Sequence, residues 1–264
     1  MTPTRFARSA LSRAGLRAQA GAGVRVQPEG GMLVATLGCP GLAPETALAR
    51  QPELLAPVKL AAAAGGGAEL RAELLRARGV DTEALARSAL ERAGAWLAGD
   101  GGPVADVEAV DAEEVAAGLA ELPRAWAWEP RGADGFHVHA TAFGTSARIV
   151  VEARAGTARA FVRSAVPATG LETRAALVHF ALEANARLRL ARIGVAADDD
   201  GTARLTWDAV ASPGVALERA LPAAVEAVAG AHAATRRALR ALSHAAVARI
   251  YLDARAPRAG DLPA

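Results

Sequence analysis

The sequence is short of cysteine and lysine, with Cys39 and Lys59 as the single examples of each in 264 residues. One cysteine allows no intrachain disulfide and no thiolate metal cluster, which fits a reducing compartment. The other basic residues are arginines, yet the formal net charge is only +2. Arginine richness at near-balanced charge is poor evidence for nucleic-acid binding, so we expect no nucleic-acid partner.

Long apolar runs are also missing. No stretch approaches the roughly 20 apolar residues that a membrane-spanning helix needs, and the N-terminus lacks the compact apolar core of a secretory signal. We therefore expect a soluble cytoplasmic protein without a membrane span.

The segment LAGDGGPVAD, residues 97–106, groups glycines and a proline between two alanine-rich regions and predicts a boundary. Residues 1–102 are then an N-terminal accessory region of mixed α/β character, and residues 103–264 form a second domain. For the first region we predict helices over 5–18, 68–78 and 81–98, a hairpin over 23–38 with Gly30 and Gly31 at its turn, and loops with short helical pieces over 40–67.

The pattern of helices and strands is clearer in the second region. The acidic residues Asp111, Glu113 and Glu114 open a short helix that ends before Pro123. Three extended runs, over 136–143, 147–155 and 158–166, are separated by turn-length gaps and predict an antiparallel meander. A helix then ends at Asn185, two strands follow around the ADDDG turn, and Ser212 and Pro213 begin a long helix. The expected fold class is α+β: an antiparallel sheet of about five strands with flanking helices.

The segment LVHFALEANARLRLARIGVAADDDGTARLTW, residues 177–207, combines a helix closed by Asn, a strand, an acidic glycine turn and a strand ending in an aromatic residue. Together with its neighbours over residues 110–257, this order resembles the type III secretion chaperone-like superfamily, including the YbjN group of bacterial proteins. The resemblance implies a secretion-chaperone-like fold that dimerises and binds extended segments of a partner protein, without catalysis or cofactor.

From that resemblance we expect a non-enzymatic chaperone or adaptor, working as a homodimer on a protein client. The client would bury apolar side chains on an exposed sheet or helix surface, with help from strand addition at a sheet edge. Candidate partner-binding residues are aromatic anchors and a basic helical stripe: Trp126, Trp128, Phe161, Trp207, Arg236, Arg237 and Arg240. The candidate dimer seam is Leu239, Leu242, Ala246 and Ile250, although packing of this helix on its own sheet is an equal alternative.

Two other functions stay open at the level of sequence. His137 and His139 lie two apart on a predicted strand, share a face and would form part of an enzyme's metal site if a third ligand joined them. The arginine-rich helix would serve an anion- or nucleic-acid-binding regulator. Since neither pattern is complete, we expect no catalytic residue, no metal and no cofactor.

Overall fold

The computed structural model describes residues 24–29, 31–39, 43–54, 56–63, 67–97, 110–132, 135–154, 157–198 and 200–255. These residues form two antiparallel sheets and six α-helices. The strands are β1 (Arg25–Glu29), β2 (Met32–Gly38), β3 (Val58–Ala62), β4 (Ala68–Leu75), β5 (Ala127–Pro130), β6 (Gly135–Ala142), β7 (Thr145–Arg154), β8 (Thr157–Pro167), β9 (Arg192–Ala197) and β10 (Thr202–Val210). The helices are α1 (Pro44–Arg50), α2 (Thr82–Leu97), α3 (Ala112–Ala120), α4 (Leu171–Arg187), α5 (Leu217–Leu242) and α6 (Ala245–Asp253), with a 3-10 turn at Gln51–Glu53 after α1.

The first sheet has the order β1-β2-β4-β3 and carries α2 on one face. The predicted hairpin is confirmed as β1 and β2, and Asp81 caps α2 by accepting a hydrogen bond from the Ala84 N–H at 3.0 Å. The helix predicted over 68–78 is wrong, because β4 occupies 68–75. Its buried residues alternate and face α2, so period-2 burial overrides the helix propensity of Ala, Glu and Leu in this segment. The helix predicted over 5–18 lies outside the described residues.

The second sheet has the order β5-β6-β7-β8-β10-β9, with every pair antiparallel. The predicted meander is confirmed as β6, β7 and β8, and the ADDDG turn joins β9 to β10. One face of this sheet packs against α5, where the Trp207 Nε1–H donates to the Thr235 hydroxyl at 2.8 Å. The sheet has one strand more than expected, since β5 extends its far edge.

The helix before β9 does not end at Asn185 as the sequence predicts. Asn185 is buried inside α4, and its amide donates to the carbonyls of Leu60 and Ile193 at 2.9 and 3.1 Å while accepting from the Ile193 N–H. The left-handed residue is Leu190 instead, with φ of 58°. Its N–H donates to the Glu73 carboxylate at 2.6 Å, a charge-assisted bond that offsets the cost of this conformation.

The long C-terminal helix also begins later than predicted. α5 starts at Leu217, and Ser212 does not cap it, because the Ser212 hydroxyl accepts a hydrogen bond from the Leu75 N–H at 3.1 Å. Pro222 lies inside α5 without interrupting it. No helix in the described ranges is long and apolar enough to pass through a bilayer.

Polar side chains join the two sheets where β3 approaches β9. Gln51 donates to the Ile193 carbonyl at 3.0 Å and accepts from the Leu60 N–H, so it connects both strands. Arg192 donates across the same seam to the backbone carbonyls of Leu54, Ala56 and Val58. The buried apolar residues of both sheets form one cluster, so the seam lies inside a continuous core. The predicted boundary over 97–106 falls almost wholly outside the described residues.

Candidate functional site

The predicted dimer seam is divided between two helices. The continuous helix expected through residue 250 is wrong, because α5 ends at Leu242 and α6 begins at Ala245, with the Ser243 hydroxyl donating to the Arg240 carbonyl at 2.8 Å. Leu239 and Leu242 are buried in the protein's own core. Ala246 and Ile250 lie on α6 and are exposed.

The outer face of α6, which we define as Ala246, Val247 and Ile250, is apolar. Ile250 is 70% exposed and Val247 is 40% exposed, whereas Ala248 on the inner side is completely buried. Positions 246, 247 and 250 share one side of a helix because its period is 3.6 residues. The structure therefore presents a short apolar helix face to solvent.

Ion pairs and a hydrogen bond fix α6 against α4. The Tyr251 hydroxyl donates to Glu183 at 3.0 Å, and the Arg255 guanidinium donates to the same carboxylate at 2.8 Å. The Arg255 hydrogen bond lowers the pKa of Glu183, and burial together with Glu183 raises the pKa of Tyr251. A further ion pair at 3.2 Å links Arg249, in the middle of α6, to Glu172, so α6 is fixed to α4 from its middle to its C-terminal end.

The two tryptophans of the predicted partner surface lie at the β5 edge. Trp126 precedes β5 and is half-buried against the core, whereas Trp128 is 37% exposed and packs edge-on against Phe136, with ring centroids 5.6 Å apart. β5 has four residues and ends in Pro130, which has no N–H. Short edge strands with proline discourage pairing with another chain, so this edge is a poor template for strand addition.

His137 and His139 do share one face of β6, as the sequence indicates. Glu129 lies 3.8 Å from His137 Nδ1 and 3.5 Å from His139 Nε2, and the Arg148 guanidinium contacts His137 Nδ1. Desolvation and Arg148 lower the pKa of His137, and the His139 hydrogen bond lowers the pKa of Glu129. Within the described residues, no group of three or more His, Cys, Asp or Glu side chains is placed to hold a metal ion.

The basic stripe of α5 lies beside a buried histidine. Arg236 is half-buried, and Arg237 and Arg240 are exposed. Desolvation, with Arg236 and Arg240 adding to it, lowers the pKa of His232 to about 4, so this imidazole is neutral at pH 7. The His232 ring packs edge-on against Trp207 at 4.9 Å. Trp207 is 1% exposed, which places this candidate anchor in the core and not at the surface.

Phe161 is also buried, and its neighbours were not identified as site residues from the sequence. The guanidinium groups of Arg159 and Arg163 stand 4.8 and 4.7 Å from the Phe161 ring centroid. Alternation along β8 places these three residues on one sheet face, a signal visible in the sequence ARAFVRSAV. Asp208 on β10, which accepts a hydrogen bond from Arg159, and Arg192 on β9, which donates to the same carboxylate, carry no local sequence signal.

Three comparisons with known proteins found no match. No protein-family model matches the chain, and no curated protein sequence and no solved structure shows significant similarity to it.

Proposed function

We propose that this protein is a non-catalytic protein-binding module, a chaperone or adaptor that docks another polypeptide on the outer face of α6. The observation that carries the proposal is the exposure of Ile250 and Val247 on a helix whose other side is fixed to α4. The secretion-chaperone-like order of helices and strands supports it. A cytoplasmic location belongs to the same proposal, supported by the single, buried cysteine.

An exposed isoleucine on a fixed helix favours binding for two reasons. Full burial of an aliphatic side chain of this size contributes roughly 1.5–3 kcal/mol, and most of the Ile250 surface is still in water. Because contacts to Glu183 and Glu172 already order the helix, α6 loses less conformational entropy when a partner docks. Leu171, next to Glu172 at the start of α4, is a second exposed apolar residue, at 86%.

The occupant that we propose first is a second copy of this chain, giving the homodimer that the resemblance implies. Two copies of α6 would then pack their apolar faces together around a twofold axis, so that each contact between two different residues occurs twice. A protein client would use the same surface or the exposed Leu171.

The direct test places a photo-reactive amino acid at position 250 and, as a matched control, at the exposed position 219 on α5. We expect crosslinks from position 250 to a second copy or to one protein client, and no comparable product from position 219. Molar mass measured for wild type and Ile250→Asp distinguishes the occupants, because only a dimer would shift to monomer. Equal crosslinking from both positions, with a mass unaffected by Ile250→Asp, would refute the proposal.

A further inference from the structure

A cavity of about 550 Å³ lies on the face of the second sheet that is opposite α5. Its floor comes from β8, β9 and β10, and its roof from α1 and the 3-10 turn, which contribute Ala49, Pro52 and Glu53. Gly194 makes this arrangement possible: a Cβ atom there would stand 2.3 Å from Pro52 Cγ. Because residue 194 has no side chain, the backbone of strand β9 packs directly against the 3-10 turn.

Strand register puts small residues on the floor and arginines at its ends. Arg163 on β8 pairs with Thr206 on β10, which pairs with Gly194 on β9. Two residues further along the same sheet face, Ala165 on β8 pairs with Arg204 on β10. The small side chains of the floor leave the volume open. Three of the lining residues are arginines (Arg159, Arg163 and Arg204), and Glu53 is the single acid among the lining residues described.

The Nη2 atom of Arg159 indicates an external ligand. Its side chain is 1% exposed, its Nε–H donates to Asp208 at 3.1 Å, and its Nη1 lies 3.9 Å from the Glu152 carboxylate. The Nη2 atom is buried and has no hydrogen-bond partner among the described residues. A buried guanidinium N–H without an acceptor is costly, so a partner from outside the chain would stabilise it.

Asp208 and Phe161 hold Arg159 in place for such a partner. The Arg159 Nε–H donates to the Asp208 carboxylate, and the Phe161 ring centroid, which Arg163 also approaches, lies 4.8 Å from the Arg159 Cζ. The side chain is therefore ordered before any ligand arrives, which lowers the entropic cost of binding. Arginine forks match the two-oxygen geometry of phosphate and carboxylate groups.

We infer that this cavity binds a small molecule carrying more than one phosphate or carboxylate group, with one oxyanion accepting hydrogen bonds from Arg159 and Arg163. The volume is in the range of small-molecule sites, roughly 300–1,000 Å³, and is too large for one isolated inorganic ion to fill. Arg204 lies at the rim, where it pairs with Asp198 at 2.7 Å, and is available to a second anionic group. This site is separate from the outer face of α6 and does not depend on the function proposed for that surface.

The test is calorimetric titration of the full chain with inorganic pyrophosphate and, separately, with citrate, at constant ionic strength. We expect saturable binding with one site per chain and a dissociation constant of about 1 mM or tighter. Binding of pyrophosphate alone identifies phosphate as the recognised group, and binding of citrate alone identifies carboxylate. Either result supports the site.

Two variants assign the binding to the cavity without touching the buried Asp208 pair. Arg163→Gln removes an exposed donor and is expected to weaken binding about tenfold or more, the equivalent of one charge-assisted hydrogen bond. Ala196→Met fills the floor without changing charge and is expected to abolish binding. Arg237→Gln removes an exposed arginine on the opposite face as the control. Absence of saturable binding with both probes, or equal weakening by Arg163→Gln and Arg237→Gln, would overturn the inference.

Discussion

Arg192 and Arg159 lie on the same face of the second sheet and donate to the same carboxylate, but the remaining nitrogens of the two guanidinium groups have different surroundings. Arg192 donates to Asp208 at 2.7 Å and to the carbonyls of Leu54, Ala56 and Val58, so all of its nitrogens are engaged. Arg159 lines the cavity and donates to Asp208, but its Nη2 has no hydrogen-bond partner in the part of the chain that the structure describes. The comparison indicates that a fully engaged buried arginine joins parts of the fold, whereas a partly engaged one is suited to an external ligand.

The largest effect is expected at Arg192. Arg192→Met leaves the Asp208 charge with a weaker partner and removes the donor from three backbone carbonyls. Breaking a buried pair of this kind typically costs about 3–5 kcal/mol in the free energy of unfolding. Urea denaturation measures the loss. The matched control is Arg204→Met, since the exposed Arg204–Asp198 pair should contribute less than about 1 kcal/mol. If the two variants lost the same free energy of unfolding, buried Arg192 would contribute no more to stability than exposed Arg204, and the account would be wrong.

Lys59 is, like Arg192, a buried cation that donates hydrogen bonds to the chain itself. Its ammonium group donates to Glu73 at 2.9 Å and to the carbonyls of Leu188 and Ala191. Burial lowers the pKa of Lys59 to about 8 from its ordinary 10.5, against the opposing effect of Glu73. The unfolded chain therefore binds more protons between these two pH values.

The free energy of unfolding should rise across this window by up to about 3 kcal/mol through Lys59 alone. The pKa of buried Cys39, raised to about 11, acts in the opposite direction from pH 9 upward, so the wild type must be compared with a variant. Urea denaturation of wild type and Lys59→Met from pH 7 to 10.5 isolates the lysine, because both proteins keep Cys39. Stability curves that stay parallel over the window would contradict the account.

A smaller effect is expected where the roof of the cavity meets its floor. Gly194→Ala places a methyl group against Pro52, and overpacking of this kind costs about 1–3 kcal/mol. The double variant Gly194→Ala with Pro52→Ala should recover most of the loss, because the clash is with the Pro52 ring. Thermal denaturation of the single and double variants gives the coupling, and purely additive losses would show that the two residues do not meet.

Much of the fold was predictable because its signals are local. Alternation over β6, β7 and β8 predicts the meander, and the acids around residue 111 predict α3, where Asp111 and Glu114 form a capping box. Asn185 was misread because its role depends on Leu60, which lies 125 residues away. The break between α5 and α6 was missed because alanine-rich sequence lies on both sides of it and Ser243 is a weak stop signal.

The candidate sites were predictable only in part. The sequence pointed to Ile250, and it placed Arg159, Phe161 and Arg163 on one strand face. It gave no sign that Asp208 would pair with both Arg159 and Arg192, since Arg159 and Asp208 are 49 residues apart. It also gave no sign that residues 49–53 would roof the cavity, because the roof and the floor are more than 100 residues apart. Pairing between distant charged residues leaves no periodicity to find.

The most direct measurement is a crystal structure of the wild-type protein grown with pyrophosphate. The account predicts an oxyanion in the cavity with an oxygen about 3 Å from Arg159 Nη2 and a second contact to Arg163, while Arg192 keeps its backbone partners unchanged. A structure in which Arg159 Nη2 instead donates to an acceptor of the chain itself, with the cavity free of pyrophosphate, would contradict it.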